Sequence, residues 1–491
     1  MNFLLKPRVL FFGFILALVF FVFSPCLKAG FLKYWDDDFH LTKNLQCFSL
    51  STRNIFNIFH SKVNQTYIPL TISSYAIEYH FVGLNPFVFH LDNILLHLMV
   101  VGLVWILALR LGLSPIQAGG SALIFAIHPM HVESVAWITG RKDLLYSIFY
   151  LLALIKYTEY LSHHNFKTYA LSLVFAVLSI LAKPMALSLP WILWLIDGHY
   201  KRPRDFNLIV DKIPFAVLIA PLAWQTYFLH ARIPQMMGLK NILIWLWSLT
   251  FYIQKFFFPT VLIPLYNLPQ PVTIASPDYW QAILIAILCL FLVYRFRQNT
   301  WLRWAFLFYI GSIFFLMRYD DVDVSIVADR YMYLPSVGFC LFLGIYYGKL
   351  WHYVNRNQKQ LKIPVCIISV LLLTSMIFKT YHQSRLWQND FRFWNYVIAH
   401  SPDNPIAYRQ RGITYGMAGE YDKAITDFNK LINLYPNVGE TYNNRGFTYL
   451  KAGQYDAAIA DLTKAITLQP NYEDAQTNLA NALKAKSLAK Q

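Results

Sequence analysis

What most limits the fold of this chain is the recurrence of apolar runs of about 17 to 20 residues, each long enough as a helix to cross the hydrocarbon core of a bilayer. They fall at roughly 9–27, 88–109, 114–128, 143–160, 168–182, 184–198, 212–229, 280–295, 302–317, 334–350 and 363–379. A further apolar stretch, 241–258, leads into KFFFPTVLIPLYNLP, whose prolines and Lys255 suit an interfacial or re-entrant piece. Leaving it out gives about 11 transmembrane helices. Composition agrees: 57% of the 491 residues are hydrophobic and only 14% are charged, against about 25% in a soluble domain. The first run carries no clean small-x-small cleavage site and reads as an uncleaved transmembrane helix.

In a soluble chain a net charge of +16 would point to nucleic acid. Here the basic residues gather in every second loop: Lys6 and Arg8, Arg110, Lys167, Lys201 with Arg202 and Arg204, Arg295 to Arg303, and Lys349 to Lys362. That pattern fixes orientation in a membrane, so the bilayer is the partner and nucleic acid is not. It predicts a cytoplasmic N-terminus and an outer C-terminus, facing the periplasm across a bacterial inner membrane or a eukaryotic lumen. The five cysteines show no ligand or framework spacing.

Beyond residue 380 a second pattern begins. Gly412 and Gly446, Tyr415 and Tyr449, Ala424 and Ala458, Asp427 and Asp461, and Pro436 and Pro470 each stand 34 apart. Small residues where two helices cross, Tyr or Leu in the core and a closing Pro at that period form the tetratricopeptide signature. The division is therefore a membrane domain over 1–380, with an outer loop at about 28–87, and a repeat domain over 381–491. The latter comprises a half repeat at 384–402, with Trp394 and Pro402 in register, repeats at 403–436 and 437–470, and a closing helix at 472–486. Trp387 and Trp394 read as packing residues joining the repeats to the membrane domain.

On the outer side, four separate loops carry the polar residues. WDDDFHLTKN brings Asp36, Asp37 and Asp38; HPMHVESVAWITGRKDLL brings His128, His131, Glu133, Arg141, Lys142 and Asp143; AKPMALSLP brings Lys183; VADRYMYLPSVG brings Asp329, Arg330 and Tyr331. Carboxylates, imidazoles and cations converging beside apolar surroundings mark a site without homology. The chemistry that fits is transfer from a lipid-linked phosphosugar. Cations hold the phosphate, and one carboxylate takes the acceptor's proton while the phosphate leaves from the opposite face.

These motifs, in this order and with outward repeats, resemble the transmembrane and tetratricopeptide-repeat O-mannosyltransferase family, of the GT-C class of glycosyltransferases, and the short repeat tail resembles a prokaryotic relative. The resemblance covers nearly the whole chain. It implies an all-α, polytopic GT-C-like helical domain with a C-terminal tetratricopeptide-repeat solenoid, and a polyprenyl-phosphate sugar donor, mannose-like. By the same carry-over Asp36 or Asp37 holds the base, and Arg330 and Lys183 sit near the lipid phosphate. Arg141 would help balance that phosphate, Glu133 would shape the acceptor or metal site, and the repeats would take a polypeptide acceptor or protein partner. No cofactor is required, although a divalent metal is allowed. One departure stands out: animal members tend to carry Arg where this chain has Ile68, which leaves the sugar open.

Blander readings stand beside these. Asp36 to Asp38 also suit a helix cap, and Asp38 is the one expected to be merely solvated. His128 and His131 with Glu133 make a metal set on paper, yet His128 before Pro129 also suits a helix end. Lys183 could snorkel to the interface. The DRY triplet at 329–331 is read as coincidence with receptor helices, and Asn64-Gln65-Thr66 is a weak sequon. The alternative function is a non-enzymatic membrane scaffold whose repeats recruit partners. A transporter is disfavoured, since its ionisable groups belong near mid-membrane rather than at outer helix ends.

Overall fold

The computed structural model describes residues 7–64, 66–227, 238–318 and 325–489. Lys6, the middle residue of the Asn64-Gln65-Thr66 triplet and the last two residues of the 212–229 run lie outside them. The described chain is almost entirely helical, with two short extended segments, Tyr266–Asn267 and Ser325–Val327. It divides into two compact units, one over Met1–Pro264 and Leu268–Trp387, the other over Leu265–Asn267 and Gln388–Gln491.

In the first unit the apolar runs become helices that start where a proline removes an orphan N–H or a side-chain cap accepts one. Pro86, Pro115 and Pro277 sit in the first turns of their helices, where an absent N–H costs nothing. Ser114 and Gln117 form a reciprocal capping box, and Asn165 and Asn299 accept the backbone N–H of Lys167 and Leu302. Among the described residues, five helical segments are long and apolar enough to span a bilayer: Leu10–Lys28, Pro86–Arg110, Ile138–His163, Pro277–Arg295 and Lys359–Leu386. Phe166–Ala182 and Thr300–Leu316 are apolar but shorter. The unit is therefore a multi-pass membrane domain.

Burial separates these spans. None of the apolar window of Lys359–Leu386 is buried, against 67% of that of Ile138–His163. The former leaves Ile363, Ile367 and Leu371 for lipid. The latter is the central helix, packed against Pro86–Arg110 and Phe166–Ala182. Segment 241–258, read from sequence as interfacial or re-entrant, is one uninterrupted helix, Leu239–Phe257, about 28 Å long at 1.5 Å per residue. Irregular chain follows it through the prolines.

The loop at about 28–87 folds onto this scaffold. Leu41, Cys47, Ile58, Ile68, Ile72, Tyr75 and Ala76 form one core with Phe89 and Ile138. The Tyr75 hydroxyl donates to the Ile138 carbonyl at 3.1 Å, and Thr71 Oγ1 to the Ala182 carbonyl at 2.9 Å. Those bonds tie the helix Pro69–Val82 to the ends of two others, so the loop has a fixed position rather than a flexible one.

The second unit is a helical array: Asp390–His400, Pro405–Met417, Tyr421–Leu434, Gly439–Lys451, Tyr455–Leu468 and Glu473–Leu488. The 34-residue period has direct physical causes here. A Cβ at Gly412 would lie 2.9 Å from Phe428, and one at Gly446 2.8 Å from Leu462, so a larger residue at either crossing forces a neighbour to shift. Gly419 and Gly453 turn the chain at φ +79 and +75. Arg411 pairs with Asp427 at 2.6 Å and Arg445 with Asp461 at 2.6 Å. Asn395 accepts from Arg411 as Asn429 accepts from Arg445. The helix Asp390–His400 thus supplies the contacts of a repeat's second helix, and Trp394 is buried at the position that Phe428 and Leu462 take in the next two repeats.

Candidate functional site

The site is built at the start of the central helix. Trp137 lies just before it, 1% exposed, and stacks on Trp35 with ring centroids 4.7 Å apart and on Trp387 at 6.2 Å. Two cations face the same indole: the Lys142 ammonium at 5.3 Å and the Arg330 guanidinium at 5.3 Å from the ring centroid. Trp35 draws the aspartate loop onto this platform, and the chain from Asp38 to Thr42 makes one π-helical turn.

The three aspartates then separate. Asp36 keeps 23% of its side chain exposed and lies 3.5 Å from Lys142. Burial alone would raise its pKa, but the charges of Lys142, His40 and Arg330 outweigh that and hold the carboxyl below its usual range. Asp37 is 1% exposed, and its two oxygens accept from Leu32 N–H at 2.8 Å and Thr139 N–H at 3.3 Å. Burial pushes it up to about 7 despite those bonds. Asp38, expected to be solvated, is instead buried. It accepts from Tyr34 N–H at 2.9 Å and Thr42 Oγ1 at 2.6 Å and pairs with Lys43 at 2.7 Å, which closes the turn.

Around them the other motifs divide. Glu133 is buried and forms an ion pair with Arg330, whose backbone N–H it also accepts at 2.9 Å. Burial raises the Glu133 pKa. Burial also acts against the Arg330 charge, but Glu133, Tyr331, Asp143 and Asp36 together raise its pKa. Lys183 pairs with Asp143 and stands 5.3 Å over the Tyr331 ring, which excludes the snorkelling alternative since the ammonium points inward. Asp36, Glu133, Asp143, Lys142, Lys183, Arg330 and Tyr331 therefore form one charged cluster drawn from four chain segments. Asp329, beside it in sequence, is buried, and its charge acts on Lys255.

Three residues expected there lie elsewhere. Arg141, 2% exposed, turns away from Lys142. It pairs with Glu78 and donates to Asn93 Oδ1 at 2.9 Å and the Phe89 carbonyl at 3.0 Å, locking the first loop to the scaffold. His128 Nε2 donates to the Phe256 carbonyl at 3.0 Å while its Nδ1 accepts the Met130 N–H at 3.3 Å. His131 Nδ1 donates to the Phe125 carbonyl at 2.8 Å, and its Nε2 lies 2.9 Å from Ser336 Oγ. Both rings are thus engaged as helix-end supports, and no group of three metal-ligating side chains occurs among the described residues. The proposed His-His-Glu metal set does not assemble.

Sequence reasoning missed Trp137, the platform itself, and His40, whose Nδ1 donates to the Asp36 carbonyl at 2.9 Å. The i, i+4 spacing of Asp36 and His40 was the available signal. Nothing in the sequence marks an indole that two cations share.

Comparison with known proteins adds independent observations. Tetratricopeptide repeat models match residues 405–438 and 439–472. Protein O-mannosyl-transferase Tmtc1 of Drosophila melanogaster is 22% identical over 518 residues, covering 83% of this chain and 59% of that protein. Protein O-mannosyl-transferase F38B6.6 of Caenorhabditis elegans is 26% identical over 400 residues, covering 77% and 55%. The chain spans about half the length of the curated relatives it matches. A solved oligosaccharyltransferase of Archaeoglobus fulgidus aligns at 12% identity over 85% of this chain and 59% of its own, with a TM-score of 0.41, too low for superposition alone to establish a shared fold. Over most of its length, the chain is similar in sequence to proteins named as protein O-mannosyl-transferases, and its C-terminal part matches tetratricopeptide repeats.

Proposed function

We propose that the chain is a membrane-embedded glycosyltransferase. It moves a sugar from a polyprenyl-phosphate-linked donor to an acceptor hydroxyl, with inversion, and by its likeness to the O-mannosyltransferases the sugar is mannose-like. The observation that carries this reading is one accessible carboxylate, Asp36, set 3.5 Å from Lys142 and beside Arg330 on an indole platform.

In the transfer the acceptor oxygen attacks the anomeric carbon and gives its proton to Asp36. The carbon–oxygen bond to phosphate breaks, and the polyprenyl phosphate departs on the opposite side of the ring. Arg330, Lys142 and Lys183 balance the charge that gathers on the leaving phosphate. Lys142 links the two events. Without substrate it holds the Asp36 proton affinity down; once a donor phosphate draws Lys142, that restraint falls and Asp36 becomes the stronger base. Glu133 and Asp143 orient Arg330 and Lys183 through their ion pairs. Asp37, wholly buried and bonded to two backbone N–H groups, supports the loop that carries Asp36 rather than reacting. This chemistry needs no metal, because three side-chain cations perform the charge balance.

The alternating basic loops support an orientation with this face outside the cytoplasm. Tetratricopeptide repeats stack into concave surfaces of the kind that bind polypeptide, which supports a protein as the acceptor or partner. The test is to incubate the full chain in nanodiscs with a panel of polyprenyl-phosphate sugars and a cell-extract acceptor fraction, following sugar release and the anomeric configuration of the product. Release from one donor with inverted configuration supports the reading. No release from any donor favours the scaffold alternative.

A further inference from the structure

The helix Leu189–His199 starts one short turn beyond Lys183 and runs away from the charged cluster toward the basic loop at Lys201, Arg202 and Arg204. Beside its far end lies a groove of about 680 Å³ between this helix and Thr300–Ile313. Its composition is graded. Trp191, Trp194 and Leu307 line one end, while Arg204, Arg303 and Trp301 line the other. Trp191 to His199 is eight residues along the helix, about 12 Å at 1.5 Å per residue, so a ligand filling the groove meets charge at one end and indole at the other.

The walls are fixed. Trp191 Nε1 donates to the Leu307 carbonyl at 3.4 Å, and its ring fills the space where a side chain at Gly311 would begin. The floor is a satisfied ion network. Asp197, 1% exposed, pairs with Lys212, accepts from Tyr157 Oη at 2.9 Å and lies 3.5 Å from Arg202. Arg202 also pairs with Asp211 at 2.6 Å. Asp205 accepts the Leu208 N–H at 3.1 Å and the Asn207 amide at 3.3 Å. The acids are thus engaged, whereas Arg204 and Arg303 are exposed and have no ion-pair partner among the described residues.

We propose that this groove holds one anionic phospholipid of the surrounding bilayer. Its phosphate sits between Arg204 and Arg303, and one acyl chain lies along Trp194, Trp191 and Leu307. Trp301, packed on His199 at the charged end, stands where tryptophan belongs at headgroup level, and arginine pairs with phosphate. A phosphocholine headgroup brings its own cation to two arginines, whereas an anionic one does not. A free phosphate finds the arginines but leaves the indole wall unfilled. The proposal does not depend on the sugar-transfer reading.

The test is lipid retention by the full chain. It is equilibrated in mixed micelles of phosphatidylglycerol and phosphatidylcholine and separated by size exclusion, and its bound lipid is quantified by mass spectrometry. Two arginines at about fivefold each predict a preference of roughly twenty-five-fold for phosphatidylglycerol. Arg204→Gln with Arg303→Gln abolishes that preference, and Arg204→Lys with Arg303→Lys retains most of it. If the glutamine variant fails to fold, salt on the wild type decides. The preference shrinks as the Debye length falls from about 10 Å at 0.1 M to about 3 Å at 1 M. Equal retention of the two lipids, a preference untouched by salt or by the glutamines, or displacement of phosphatidylglycerol by millimolar inorganic phosphate would overturn the proposal.

Discussion

Replacing Glu133 by Gln isolates what the Glu133–Arg330 pair does for the fold. The glutamate is 4% and the arginine 17% exposed in their side chains, so neither charge is well hydrated. Gln retains an oxygen that can accept the Arg330 N–H now bonded at 2.9 Å, but not the charge opposite the guanidinium. Removing one partner of a buried pair costs about 3–5 kcal/mol, mostly from the charge left behind. Arg330 keeps some water contact and still feels Asp143 and Asp36, which places the expected loss near the lower end, about 3 kcal/mol. The assay is unfolding by SDS titration in mixed micelles, on Glu133→Gln, Arg330→Gln and the double variant. The double variant should lose less than the sum of the singles by at least about 1 kcal/mol, because it has no orphaned charge. A Glu133→Gln cost below about 0.5 kcal/mol, as for an exposed pair, or strictly additive costs would refute the reasoning.

Three further outcomes follow from the same geometry. Asp37 has a higher proton affinity folded, about 7, than unfolded, about 3.9, so stability is fullest below the unfolded value and falls as pH rises through about 7. Asp37→Asn should flatten that decline in a pH series of melting curves, with Glu78, also raised to about 7, and Glu133, also raised by burial, supplying what remains; an unchanged slope contradicts it. Arg141→Lys should destabilise nearly as much as Arg141→Ala, since an ammonium cannot reproduce the fork to Glu78, Asn93 and the Phe89 carbonyl; full stability in the lysine variant would show the fork to be unimportant. Gly446→Val should cost about 1–3 kcal/mol through overpacking against Leu462 and Asp461, seen as early protease cleavage within 437–470 of the full chain, and resistance equal to wild type would count against the crossing.

The sequence disclosed whatever depends on period and composition. Apolar runs located the helices because a bilayer demands length, and the 34-residue spacing located the repeats because Gly412 and Gly446 answer to a fixed steric need. Four separated motifs could be read as one site, and Asp36, Glu133, Lys183, Arg330 and Tyr331 do meet. What sequence could not show is direction. Arg141 and Lys142 are adjacent, yet successive helical residues point about 100° apart, so one serves a buried brace to Glu78 and the other the open cluster. His128 and His131 carry the right atoms for a metal, but backbone carbonyls already take a nitrogen of each ring. The three aspartates are identical in type and differ only in burial and partners, which the fold alone assigns.

The account turns on Asp36 as the base of a sugar transfer. The measurement that tests it most directly is turnover of a polyprenyl-phosphate sugar by wild type, Asp36→Asn and Asp37→Asn, each shown monodisperse and folded. The account predicts that Asp36→Asn folds like wild type, because it breaks one partly exposed 3.5 Å contact, and loses turnover by about 10²-fold or more. It predicts that folded Asp37→Asn keeps most of its turnover while melting earlier. Full activity in Asp36→Asn, or loss confined to Asp37→Asn at unchanged stability, would contradict it.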